Sequence, residues 1–191
     1  MAENTEQRVP NLSTPGRTFG WWDMFVHPDE DPRGGSYHGE RDVLSGYLRD
    51  YRTTLRLKCQ GLDAEQLARR SVEPSTLSLL GLIRHLTDVE RSWFQRIMAG
   101  EDVARFYPDE AEWEVEADPA MVAKAWADWE AAVAYSEEFV AKAESMDLLA
   151  KSGGDDPAEL REVLVHMIEE YSRHCGHADL LRERIDGRVG Q

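Results

Sequence analysis

A glutamate and a histidine four residues apart, Glu170 and His174, carry the clearest chemical pattern in this sequence. In an α-helix this separation turns the second side chain by only about 40° and raises it by about one turn. Both side chains would therefore project from one helix face. The pair lies along an apolar seam of this helix that includes Met167, Tyr171 and Ala178. A carboxylate beside such a seam is costly unless it is paired or bound to a metal, and imidazole nitrogen is also a metal ligand. The alternative is a salt bridge or a solvated edge position, since such pairs are common on helix surfaces.

His85, in another helical segment, is the candidate for a third group. A single histidine beside an apolar stripe is more often a hydrogen-bonded core residue than a ligand. With Glu170 and His174 it completes a 2-His-1-carboxylate set, of the kind that bundles build from facing helices. Such a set suits Zn²⁺, Ni²⁺ or Fe²⁺, and leaves positions open for water or substrate. His166 and His177 flank the pair, so spacing alone does not choose among these histidines.

Four segments with helical periodicity would position these groups, over about residues 40–60, 75–98, 119–140 and 157–187. The third and fourth open alike, at Asp118-Pro119 and Asp156-Pro157, where an N-cap precedes a proline whose missing N–H costs nothing at the first helical position. The acidic, irregular segment 101–117 should form a surface connection and is long enough to cross the end of a bundle. We therefore predict an all-α fold, a four-helix bundle over residues 37–191 that follows an irregular N-terminal arm of residues 1–36.

The whole chain excludes several classes of protein. Its 191 residues suffice for one domain, and a net charge of −15 opposes nucleic-acid binding because the surface would repel phosphate. No stretch approaches the roughly 20 apolar residues of a membrane span, and the N-terminus lacks the apolar core of a secretory signal, so we expect a cytoplasmic protein. Cys59 and Cys175 have no metal-binding spacing and should be buried free thiols. A cluster in the arm predicts docking on the bundle or on a second subunit of a homodimer: Trp21, Trp22, Met24, Phe25 and Val26.

Two strings resemble a known family: LSLLGLIRHLTDVERSWFQRIMAGE at 77–101 and LREVLVHMIEEYSRHCGHADLLRERIDG at 160–187. They are similar to the DinB-like superfamily of metal-binding four-helix proteins, and most of all to its actinobacterial branch, which includes the mini-circle protein and mycothiol-dependent enzymes. The resemblance covers about residues 36–187 and implies metal ligands at His85, Glu170 and His174. The usual pattern has histidine at the first position of the last-helix pair. This chain has Glu170 there, as mycothiol-dependent maleylpyruvate isomerase does.

The resemblance implies a metal-dependent enzyme that uses a low-molecular-weight thiol, such as mycothiol, on a small electrophile, as an S-transferase or an isomerase. His166 and His177 would then be pocket residues around the ligands. Arg84, Arg91 and Arg173 could receive an anionic substrate, although arginines at helix edges are more often solvated. The main alternative hypothesis is that the chain is a non-catalytic metal-binding or stress-related bundle protein. A third is a bundle whose polar core residues only fix the helix register, without a metal.

Overall fold

The computed structural model describes residues 26–189 and has four long helices, which confirms the predicted all-α bundle. No helix within these residues is long and apolar enough to cross a membrane. The second long helix continues from its α-helical part into a π-helical stretch, Arg91–Met98, and a 3-10 turn follows at Pro108–Trp113. The α-helices are α1, Glu40–Cys59; α2, Ala64–Ala68; α3, Leu79–Glu90; α4, Pro119–Lys142; and α5, Leu160–Asp186.

Helices α1 and α5 run parallel. The side chain of Glu40 pairs with Arg161 near the start of both helices, at 2.7 Å. Near their other ends, the guanidinium of Arg182 donates to the carbonyl oxygen of Lys58 at 2.7 Å. Helix α3 runs antiparallel to α5, because the start of one contacts the later part of the other. Histidine side chains at 85 and 174 lie 4.7 Å apart between ring centroids, whereas further along α3 the ring of Trp93 meets the earlier α5 residue His166.

Helices α3 and α4 are parallel, which changes the expected path of the chain between them. The carboxylate of Glu90 accepts a hydrogen bond from Ser136, and one turn further along both helices the ring of Phe94 lies 6.1 Å from that of Phe139. The connection over residues 99–118 therefore has to return along the length of α3 and its π-helical continuation. It thus does more than cross one end of the bundle, which its length alone would have allowed. We call residues 99–118 the crossover.

The starts of α1 and α4 were predicted correctly, whereas α3 begins at Leu79 and not near residue 75, and the start of α5 also differs from the prediction. Asp118 caps α4, and its side chain accepts from the N–H of Ala120 at 2.9 Å. Helix α5 begins at Leu160, not at Asp156-Pro157. The reason is that residues 148–150 pair with residues 158–160 in an extended bridge. The N–H of residue 150 donates to the carbonyl oxygen of residue 158, and the N–H of residue 160 donates to that of residue 148, both at 2.9 Å. Extended backbone cannot also be the first turn of a helix. Helix α5 ends as expected at Gly187, whose φ is 79°.

The described part of the arm lies against α1. After a 3-10 turn at Pro28–Glu30, residues 31–38 have no regular structure. The Arg33 guanidinium donates to Thr54 Oγ1 at 2.9 Å, and the hydroxyl of Tyr37 donates to Asp50 at 2.9 Å. Of the apolar cluster, residues 21–25 lie outside the described residues. The domain boundary at residue 36 and the docking of this cluster stay predictions.

A buried polar network joins α1, α3, α4 and α5 in the middle of the bundle. The fully buried carboxylate of Glu90 accepts from Arg52 at 2.7 and 2.8 Å, from Ser136 at 2.6 Å and from Tyr171 at 2.8 Å. The hydroxyl of Tyr171 in turn accepts from the indole N–H of Trp129 at 2.9 Å. Because directional bonds reach this carboxylate from three other helices, the network sets how each helix is rotated about its axis.

Candidate metal centre

His85, Glu170 and His174 lie together where α3 faces α5. Each offers one ligand atom, and these three atoms lie within 4.8 Å of one another. The Oε2 atom of Glu170 is 3.4 Å from Nε2 of His174 and 3.9 Å from Nε2 of His85. Within residues 26–189, no fourth histidine, cysteine, aspartate or glutamate joins this set. The arrangement is three-sided, with two imidazole nitrogens and one carboxylate oxygen.

The buried seam of α5 determines where two of these groups point. His174 lies between Tyr171 and Ala178, both fully buried, and its own side chain is 11% exposed. Glu170, one turn earlier, is at the edge of the seam and is 21% exposed, much like His85 across the interface at 20%. The hydrogen bond from Tyr171 to the central network fixes the rotation of this part of α5. We call His85, Glu170 and His174 the cluster. One side of the cluster is thus anchored in the core and the other faces solvent.

The two other histidines of α5 surround the cluster and do not enter it. Nδ1 of His177 is 3.3 Å from Nδ1 of His174, on the side of that ring away from Glu170. Nε2 of His166 is 3.7 Å from the second oxygen of Glu170. Each therefore contacts the outer atom of a candidate ligand. This is the position that the family resemblance implied for both.

His174 is suited to bind a metal at neutral pH. Burial is the main cause that lowers its pKa to about 3, and His85, His177 and Arg173 lower it further. A metal competes with protons for the imidazole lone pair. In the metal-free protein at pH 7 this ring is neutral, so a metal ion would displace no proton from it.

Two residues of the crossover complete the surroundings of His85, and the sequence analysis missed both. Glu112 is 5% exposed, and its Oε1 lies 3.5 Å from Nδ1 of His85. The ring of Trp113 stacks on the imidazole with centroids 5.1 Å apart. The sequence does contain one indication that another segment lies against this part of α3, namely Gly81, one turn before His85. A Cβ there would lie 3.0 Å from the Trp113 ring and 3.3 Å from the carbonyl oxygen of Glu112, so a helix face without a side chain marks a close approach of another segment.

Helix α3 holds the crossover on both sides of Glu112. The carboxylate of Asp88 accepts from the backbone N–H groups of Phe106 and Tyr107, both at 2.9 Å. Arg84 donates to the carbonyl oxygen of Glu114 at 2.6 Å. The crossover is thus fixed to the helix that carries His85, although it has little regular structure.

The arginines considered for anion binding have different contacts. The Arg84 guanidinium lies 4.2 Å from the centroid of the Tyr107 ring. Arg91 lies 3.6 Å from the centroid of the Phe106 ring and donates to the carbonyl oxygen of Ala104 at 3.0 Å. Both therefore help to hold the crossover. Arg173 is exposed, as expected of an arginine at a helix edge.

The two cysteines are buried, unpaired with each other and outside the cluster. Burial raises the pKa of Cys59 and of Cys175 to about 12. Both thiols are therefore protonated at neutral pH and poorly nucleophilic. The carboxylate of Asp179 pairs with the ammonium of Lys58 and not with the cluster. A reactive thiolate at this site would have to come from another molecule.

Comparison with known proteins identifies the family. A family model described as mycothiol-S-transferase matches residues 43–187, a range that contains the cluster and the crossover. No curated protein and no solved structure matches the chain. Since the matched range spans well over half of the 191 residues, the chain belongs to the mycothiol-S-transferase family.

Proposed function

We propose that this protein is a metal-dependent S-transferase that joins a low-molecular-weight thiol of the mycothiol type to a small electrophile. The observation that carries the proposal is the three-sided set of His85, Glu170 and His174, in a chain of the mycothiol-S-transferase family. Structural zinc sites are closed by four protein ligands, whereas catalytic sites have three and keep one position for substrate or water. No fourth group joins the set in the described part of the chain, which supports a catalytic site over a purely structural one.

The donor set fits a divalent metal, and we propose zinc, although nickel and iron bind the same donor types. A metal bound there would supply the positive charge that keeps a thiol deprotonated at neutral pH. The protein's own part is to hold three donors close together on two rigid helices. His174 offers a neutral ring, and the exposed edges of His85 and Glu170 leave the set accessible from solvent.

The proposed reaction is attack by an external thiolate, since the chain's buried cysteines are protonated. The sulfur electron pair forms a bond to an electrophilic carbon, and the leaving group departs with the pair of the broken bond. With an activated double bond there is no leaving group, and the neighbouring carbon takes up a proton instead. Reversal of such an addition after rotation about the former double bond would give an isomerase, so the electrophile decides between the two activities.

Three measurements test the proposal. Metal analysis of protein purified without a histidine tag should find one divalent ion per chain. Conjugation assays with mycothiol and a panel of electrophiles should show activity for the zinc-loaded protein and none for the metal-free protein. His174→Ala and Glu170→Gln should lose both metal and activity. Glu169→Gln is the matched control, because Glu169 is exposed on the same helix and should change neither.

The outcomes separate the alternatives. Stoichiometric metal retained in His174→Ala would refute the site. Metal binding without thiol transfer to any electrophile would favour a non-catalytic metal-binding protein, and a wild-type protein without metal would favour polar core residues that only fix helix register. A cytoplasmic location, where small thiols stay reduced, is part of the proposal. Size-exclusion chromatography tests the proposed homodimer.

A further inference from the structure

Glu112 is a buried carboxylate whose surroundings leave it poorly paired. Its Oε2 atom has no hydrogen-bond partner among residues 26–189, and the same holds for Nδ1 of His85. The other oxygen of Glu112 lies 3.5 Å from that nitrogen. Buried polar atoms without partners are rare in folded proteins and call for an explanation. Here an acceptor on the crossover and a ring nitrogen on α3 face each other across a short gap.

The chemistry of imidazole assigns a role to each atom. Nε2 of His85 is the atom nearer Glu170, so it is the one that would offer its lone pair to a metal. A neutral imidazole with a lone pair on Nε2 carries its hydrogen on Nδ1. An ionised carboxylate only accepts hydrogen bonds, and charge-assisted bonds from N–H to carboxylate are about 2.7–2.9 Å long. A shift of less than about 1 Å would close the gap to such a bond.

We propose that Glu112 is the positioning residue of His85 in the metal-loaded protein, an inference that rests on the proposed metal-dependent function. Its carboxylate accepts the hydrogen bond from Nδ1 and holds the ring in the tautomer and orientation that direct Nε2 to the metal. Metal-binding histidines almost always donate their other N–H to a carboxylate, a carbonyl group or water. Glu112 acts through His85 and does not itself enter the ligand set.

The fold keeps Glu112 in reach of His85. Gly81 lets the crossover lie directly on α3, and the stacked ring of Trp113 limits rotation of the imidazole. Glu110, two residues before Glu112, has a φ of 64°, a left-handed conformation that is unfavourable for a residue with a side chain. Such backbone conformations persist where the surrounding structure enforces them, and they cluster at functional sites. Glu110 and Glu112 belong to the same 3-10 turn, Pro108–Trp113.

A positioning role and a structural role predict opposite effects on the metal-free protein. A buried, poorly paired carboxylate is unfavourable, so its neutralisation in Glu112→Gln should leave the urea midpoint of the metal-free protein unchanged or raise it. The same variant should bind zinc about tenfold more weakly, and Glu112→Ala up to about 100-fold more weakly, in competition with a chromogenic chelator. Glu114→Gln is the matched control. It lies two residues further on with an exposed side chain and should keep the wild-type Kd.

The tautomer of His85 gives an independent readout. Long-range ¹H–¹⁵N spectra of the zinc-loaded wild-type protein should show a protonated Nδ1 and a metal-bound Nε2. A hydrogen on Nε2 would overturn the inference, as would a Kd in Glu112→Ala within twofold of wild type. Weaker zinc binding accompanied by a lower urea midpoint of metal-free Glu112→Gln would show a structural role and would also overturn it.

Failure of the proposed function can be distinguished from failure of this inference. If the wild-type protein binds no zinc, the metal site and the role of Glu112 fail together. If the wild-type protein binds zinc but transfers no thiol, the proposed reaction fails. The Kd values of the Glu112 variants then still decide the positioning role, because they do not depend on turnover.

Discussion

Glu90→Gln tests whether the central polar network holds the bundle together. The fully buried carboxylate of Glu90 accepts two hydrogen bonds from Arg52, one from Ser136 and one from Tyr171. Glutamine has nearly the same shape but is neutral, and it replaces one acceptor oxygen by an NH₂ group that cannot accept. The variant would therefore leave the guanidinium of Arg52 without its buried counter-charge. At least one donor would also lose its acceptor.

The magnitude follows from the burial of both partners. The side chain of Arg52 is 6% exposed and that of Glu90 is 0% exposed. Burial by itself would lower the pKa of Arg52, but the charge of Glu90, with a contribution from Tyr171, raises it above its ordinary value, so the arginine stays charged. Removing one partner of such a buried pair costs about 3–5 kcal/mol. That is a large share of the 5–15 kcal/mol that stabilises a typical domain.

The assay is urea unfolding of the metal-free protein at pH 7, followed by circular dichroism. With a slope of about 2 kcal/mol per molar urea, the midpoint of Glu90→Gln should fall by about 2 M. Glu137→Gln is the matched control, because Glu137 lies 3.5 Å from the same arginine but is 53% exposed. An exposed ion pair contributes about 1 kcal/mol or less, so the control should lose less than 0.5 M or so.

Equal midpoints for Glu90→Gln and Glu137→Gln would refute the reasoning, since burial would then make no difference to the pair. A second readout connects the network to the site. Tyr171 precedes the candidate ligand His174 by three residues, so a disturbed hydrogen bond from Tyr171 to residue 90 should loosen the rotation of α5 and weaken zinc binding as well. A large loss of stability with an unchanged zinc Kd would show that the network stabilises the bundle without orienting the site.

Three further predictions concern the crossover, the cysteines and the metal. Gly81→Ala places a Cβ 3.0 Å from the Trp113 ring and should cost about 1–3 kcal/mol in urea unfolding and raise the zinc Kd. Cys59 and Cys175, whose pKa values burial raises to about 12, should resist iodoacetamide at pH 8 in the folded protein and react with it in urea. Removal of zinc by a chelator should lower stability by about 2.7 kcal/mol relative to protein at a free zinc concentration 100 times the Kd, measured by urea unfolding.

Each of these three predictions has a control or an outcome that would contradict it. Gly176→Ala is the control for Gly81→Ala, because no atom lies within 4 Å of its added Cβ and alanine favours a helix over glycine by roughly 0.5–1 kcal/mol. Equal effects of the two substitutions would contradict a close approach of the crossover at residue 81. Rapid alkylation of the folded protein would contradict the protonated state of the cysteines. A chelator without effect on stability would contradict the metal site.

Local interactions explain what could be predicted from the sequence alone. Helical periodicity and the Asp118 cap depend on residues within one turn of each other, so the four long helices and the start of α4 were predictable. The spacing of Glu170 and His174 likewise put both on one face of one helix, whatever surrounds it. The start of α5 was not predictable from Asp156-Pro157, because a bridge to residues 148–150 prevents the first turn there.

Only the tertiary structure decided what faces this pair. The antiparallel packing of α3 on α5 brings His85 within 3.9 Å of Glu170, a contact between residues 85 positions apart in the chain. The parallel α3 and α4 require the crossover to run back along α3, and this places Glu112 beside His85. Such contacts depend on how whole helices are packed and rotated, and no short-range pattern records that. The candidate ligands were thus visible in the sequence, while the carboxylate that would orient one of them was visible only in the fold.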